Sequence, residues 1–76
     1  MNKKQRIKIR AVQDTLREGL SVIRYIKDEQ TTALNNIPEN LQDGKRYSAI
    51  EDAVDKLEDA CDNIEQAIED LNEASV

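Results

Sequence analysis

One cysteine, sixteen carboxylates and eleven lysines or arginines are the side chains of this 76-residue chain that could carry chemistry; there is no histidine. Cys61 is the only candidate nucleophile. It falls between Leu57 and Ile64 on an apolar stripe, where a cysteine serves as a small hydrophobe and its thiol is shielded. No Gly-rich phosphate loop is present, and no serine has a base beside it. Helical bundles that hold two metals need inward-facing Glu and a Glu-x-x-His pair, whereas the carboxylates here fall on the outer faces of a heptad pattern. Asp43-Gly44 lacks the alternating acids and closing glutamate of a calcium loop. The expectation is a non-enzymatic chain with no catalytic residue, no metal and no cofactor.

Charge is the second chemical resource, and it is unevenly placed. Residues 1–27 carry eight Lys/Arg against Asp14 and Glu18, while residues 48–76 carry ten acids against Lys56 alone, within a net charge of −5. The basic start, Lys3, Lys4, Arg6, Lys8 and Arg10, could contact phosphates. No aromatic residues interleave with it, so base stacking is unsupported and nucleic acid is not the expected partner. The acidic stretch includes Asp55, Asp59, Asp62 and Glu69 on an almost one-signed face. Such a rod can solubilise a helix, or imitate a phosphate backbone and occupy a basic surface of a protein partner.

The elements that position these charges follow from apolar spacing. Tyr47, Ile50, Val54, Leu57, Cys61, Ile64, Ile68 and Leu71 are separated alternately by three and four residues, the seam of a coiled-coil helix. Ala53, Ala60, Ala67 and Ala74 recur beside it at every seventh position. An earlier helix is predicted from Ile9, Val12, Leu16, Leu20 and Ile23, continued by Gln30 and Leu34. Ala11, Val22, Ile26 and Ala33 form a flank next to that stripe. Gly19 lies on it, as either a site of close helix approach or tolerated drift.

Pro38 forces Ile37 out of the helical region and ends the first helix near Asn35. It also suits the start of a short helical turn, from which Leu41 is expected to plug the end of the hairpin. Asp43, or Ser48 with Glu51, is the expected cap of the second helix. The predicted organisation is a single domain over 1–76: helix one over about 6–35 after a frayed start, a structured loop over 36–43, and helix two over about 44–74. Two such helices must fold back antiparallel to bury their stripes. That sets the basic start beside Glu65, Glu69, Asp70 and Glu73, with ion pairs expected between them.

A chain this short needs stapling or a partner to be stable, and a lone cysteine cannot form an internal disulfide. The fold expected is therefore an all-α antiparallel two-helix hairpin that dimerises into a four-helix bundle, with Ala11, Gly19, Val22, Ile26 and Ala33 as the interface. That architecture is similar to the repressor-of-primer bundle, a likeness of shape that transfers no function. The longest apolar run is two residues, so no membrane span is expected, and the lone cysteine fits a reducing cytoplasm.

Ile37-Pro38-Glu39-Asn40-Leu41-Gln42, then Arg46-Tyr47 and Glu51-Asp52-Ala53-Val54-Asp55-Lys56-Leu57-Glu58, resemble a group of small acidic helical-hairpin proteins. These belong to bacteria, gut Firmicutes above all, and to their phages and mobile elements. The resemblance spans about residues 33–74, and its specific part is the Pro-Glu-Asn-Leu-Gln turn with the Arg46-Tyr47 that leads into the acidic helix. It implies a context, an accessory protein of mobile-element origin, and brings no site residue with it.

Overall fold

The computed structural model describes all of residues 1–76 and contains two long helices, α1 (Lys3–Asn35) and α2 (Lys45–Ala74), with a single 3-10 turn over Glu39–Leu41 between them. The molecule is a rod of 59 × 15 × 12 Å. The helices run antiparallel: the Met1 amino group reaches the Val76 carbonyl at 2.8 Å, and Gln13 reaches Ile68.

α1 starts earlier than the apolar pattern indicates, because polar side chains close its first turn. Asn2 Oδ1 accepts from the Gln5 backbone N–H at 2.8 Å, and Gln5 Oε1 accepts from the Asn2 N–H at 3.2 Å. This capping box satisfies two amides that would otherwise lack partners, so Met1–Gln5 is not a frayed lead-in. α1 stops at Asn35, where the Asn36 N–H still reaches Thr32 O and Ile37-Pro38 cannot continue the helix.

The connection departs from expectation at two points. Leu41 is 56% exposed and does not plug the hairpin. Gly44, rather than Asp43 or Ser48, caps α2, and no side chain assists it. Its carbonyl accepts from the Ser48 N–H, while its own N–H donates to the Leu41 carbonyl at 3.2 Å. A Cβ at Gly44 would press to 3.2 Å from that same oxygen, so the tight approach of the 3-10 turn favours glycine there.

Between the helices, α2 uses its expected seam, and α1 keeps all of its expected stripe except Val12, adding Gln13 and Lys27. Val12 is 51% exposed and Gln13 only 7%. The inward positions of α1 are Ile9, Gln13, Leu16, Leu20, Ile23, Lys27, Gln30 and Leu34, all buried or half-buried. Their gaps alternate four and three, matching the coiled-coil rhythm of α2. The heptad rows through Gln13 (with Leu20, Lys27, Leu34) and through Ile68 (with Cys61, Val54, Tyr47) run antiparallel from this contact. The Gln13–Ile68 hydrogen bond sets this register, and stepping one heptad inward brings Leu20 opposite Cys61. Those two, 6% and 4% exposed, are the most buried apolar residues of the hairpin.

Candidate interaction surface

Each helix carries three parallel rows of inward or flanking residues. On α1, one row (Gln13, Leu20, Lys27, Leu34) faces α2. A second (Ile9, Leu16, Ile23, Gln30) lies beside it, and a third (Val12, Gly19, Ile26, Ala33) lies beyond. On α2 the matching rows are Val54, Cys61 and Ile68, then Ile50, Leu57, Ile64 and Leu71, then the alanines Ala53, Ala60, Ala67 and Ala74. In both helices the third row sits three residues after the second. Because the helices are antiparallel, that common offset puts both outer rows on the same side of the hairpin.

The result is one apolar side and one charged side. Every member of the two second rows, mostly large aliphatics, is only half-buried. Beside them Val12 and Ile26 are 51% and 40% exposed. Ala53, Ala60 and Ala67 are also only partly covered. A Cβ built on Gly19 would meet nothing within 4 Å, so the close approach that a glycine here permits is not made by α2. Of the other residues expected at the interface, Ala33 joins this side, and Val22, 59% exposed, lies at its rim. Ala11 does not join it: it shares a row with Glu18 and Tyr25 on the outward face, exposed to solvent.

The charged side contains the Arg24–Glu65 ion pair, the single salt bridge between the helices. Both side chains are about half exposed (52% and 49%), so the pair is worth only ~0–1 kcal/mol. The ion pairing expected between the basic start of α1 and the acidic end of α2 is not formed, because Lys3, Lys4, Arg6, Lys8 and Arg10 have no carboxylate within salt-bridge distance. Row geometry gives the reason. Lys3, Arg10, Arg17 and Arg24 border α2, whereas only Glu51, Glu58 and Glu65 border α1 in return. In the register of Arg24 and Glu65, Arg17 comes level with Asn72, and it bonds Asp14 of its own helix instead at 3.2 Å.

The basic start opens instead onto a polar crevice of about 180 Å³, lined by Arg6, Arg10, Gln13, Asn72 and Ser75. At the other end, a cleft of about 560 Å³ has Ile37, Pro38, Leu41 and Tyr47 among its walls, with Lys45 and Arg46 beside them. Asp55, Asp62 and Glu69 recur every seven residues on the outer face of α2 with Asp59 alongside, all exposed and none in an ion pair. Cys61 is 4% exposed and packed in the seam. No group of three His, Cys, Asp or Glu is placed to hold a metal ion. No helix is long and apolar enough to cross a membrane.

Comparison with known proteins finds no match among family models, curated proteins or solved structures.

Gln13, Lys27 and Val12 were the positions that the apolar pattern of α1 misassigned. The signal that finds them is the strict four-three rhythm already evident in α2. Applied to α1 without regard to residue polarity, it passes through Gln13 and Lys27 and leaves Val12 outside.

Proposed function

We propose that this chain is a non-enzymatic protein-interaction module whose first partner is a second copy of itself, two hairpins forming a four-helix bundle. The observation that supports this is the half-covered row of large aliphatic residues along one side. A helix in a square bundle needs three adjacent rows: one toward each neighbouring helix and one toward the centre. Both helices have all three, and the hairpin occupies only one of them. Full burial of a large aliphatic side chain contributes ~1.5–3 kcal/mol, so covering what remains of these half-buried rows would add a large share of the stabilisation available to a chain of this size.

Replacing Val22 and Ile26 together with lysine tests the reading at the rim and face of that surface. Neither residue is buried in the hairpin, so helicity by circular dichroism should be retained while association is lost. Association of V22K/I26K equal to that of the unaltered chain would reject the assignment.

A second reading rests on a separate observation. Asp55, Asp59, Asp62 and Glu69 are exposed and unpaired on the opposite side of α2, free to meet a basic protein surface as an acidic inhibitor or nucleic-acid mimic would. That reading expects capture of a basic DNA-binding protein which weakens steeply with salt and disappears on charge reversal at those four positions. A role as a small phage or mobile-element accessory protein is compatible with either reading.

A further inference from the structure

We infer that the polar crevice at the open end of the hairpin binds a small hydrogen-bearing oxyanion of the hydrogenphosphate type, held between Arg6 and Arg10. The heptad pattern places the site. One heptad outward from the Gln13–Ile68 hydrogen bond lie Arg6 on α1 and Ser75 on α2, so the seam ends in polar residues where its rhythm calls for another apolar layer. Arg10 shares a row with Arg24, and Asn72 shares one with Glu65, which sets the crevice on the charged side of the hairpin. It is separate from the apolar rows, and the inference does not rest on the dimer.

The charges here call for an anion. Arg6 and Arg10 are four residues apart on one helix, a spacing at which like charges repel. Arg6 also closes the first turn of α1, where a cation opposes the helix dipole. Neither arginine has a carboxylate within salt-bridge distance, and no acidic residue lines the crevice. The neighbouring acids of α2 are otherwise placed: Glu65 pairs with Arg24, Asp70 accepts from Gln66 at 2.9 Å, and Glu69 and Glu73 are exposed. An anion between the two guanidinium groups offsets both effects, and the arginine fork suits an oxyanion.

The uncharged lining selects which anion. Gln13 is almost fully buried, yet its Nε2 bonds only the Ile68 carbonyl and its Oε1 accepts from no group of the protein. No enclosed side-chain oxygen or nitrogen lacks a partner, so this Oε1 is open to the crevice that Gln13 lines. Ser75 donates its hydroxyl hydrogen to the Leu71 carbonyl at 2.6 Å, which leaves its oxygen as an acceptor. The site joins donors on Arg6, Arg10 and Asn72 to acceptors on Gln13 and Ser75. Hydrogenphosphate accepts through its oxygens and donates through its remaining proton, and so matches that set. Sulfate and phosphodiesters carry no such proton at neutral pH. The volume of about 180 Å³ lies below the ~300–1,000 Å³ of sites for drug-sized molecules, so the anion is small.

Titration of the isotope-labelled full chain with inorganic phosphate, at neutral pH and constant ionic strength, tests this by NMR. Saturable shifts are expected at the Nε–H groups of Arg6 and Arg10 and at the Gln13 side-chain amide, with sulfate binding ~3–10-fold more weakly. Arg6→Gln and Arg10→Gln should each weaken phosphate binding by ~10-fold or more. Lys8→Gln, the same loss of charge outside the crevice, should change it by less than ~2-fold. Gln13→Leu should keep the fold, by circular dichroism, and abolish the preference for phosphate over sulfate. Shifts that follow ionic strength alone, or an equal loss in Lys8→Gln, would overturn the site in favour of a diffuse basic patch. Equal binding of sulfate, or displacement of phosphate by a single-stranded oligonucleotide without a terminal phosphate, would overturn the assignment to a hydrogen-bearing anion.

Discussion

Gln13 donates from its side-chain amide to the backbone carbonyl of Ile68 at 3.0 Å, a bond that joins residues 55 positions apart. It is the only side-chain hydrogen bond between the helices other than the Arg24–Glu65 pair. Gln13 is only 7% exposed. A buried polar residue at a seam position fixes register at a cost in stability. The Ile68 carbonyl, being inside α2, also has the N–H four residues on as a partner. Gln13→Leu should therefore leave no orphaned acceptor and raise stability, by about 1 kcal/mol, read as a higher midpoint in urea unfolding. Gln13→Ala, which adds a cavity, should lower the midpoint.

Leu20 and Cys61 mark the tightest part of the hairpin. Leu20→Ala should cost ~2–5 kcal/mol, which is a large part of the stability of a chain this small. Cys61→Ser should also destabilise, because a hydroxyl replaces a thiol where little water reaches. Thiol labelling provides the complementary measurement: at 4% exposure, Cys61 should react with a bulky reagent only as fast as the hairpin opens. Labelling of the folded protein at the rate of a free thiol would contradict the packed seam.

The second helix was legible in the sequence because every position of its seam is apolar, so spacing alone identified the stripe from Tyr47 to Leu71. The first helix was only partly legible. Its row toward α2 reads Gln13, Leu20, Lys27, Leu34, alternately polar and apolar, and a search for apolar residues drifts to Val12. The start of α1 was missed for a similar reason: Asn2 and Gln5 signal a cap through polar pairing, which an apolar pattern ignores. Ion pairing was overread, because helices that lie side by side bring only one row of each to the shared edge. Of the residues expected at an interface, Gly19, Ile26 and Ala33 do share the apolar side of α1, while Ala11 belongs to a row that turns away from it.

Gly19 tests the balance between helix propensity and packing. Nothing within the hairpin fills the space a Cβ would occupy. Gly19→Ala should therefore stabilise the helix by ~0.8–1 kcal/mol, measured by thermal unfolding, and association should persist because only a methyl group is added. Gly19→Arg should keep the helix but abolish association, as a long charged side chain would stand in the middle of the apolar side.

Arg24 and Glu65 contribute orientation more than stability. A double-mutant cycle with Arg24→Ala and Glu65→Ala should return a coupling of ~0.2–1 kcal/mol that shrinks further at high salt. A coupling several-fold larger would mean that the charged side holds the hairpin together, contrary to the packing described here.

The central claim is that the half-covered rows of the hairpin are completed by a second copy. Sedimentation equilibrium over a wide concentration range, at low and high salt, tests it most directly. The predicted result is a species of twice the 8.7 kDa chain mass that persists at high salt, since apolar burial is not screened. A chain that stays at 8.7 kDa at every concentration would contradict the claim and leave the apolar side to a different protein.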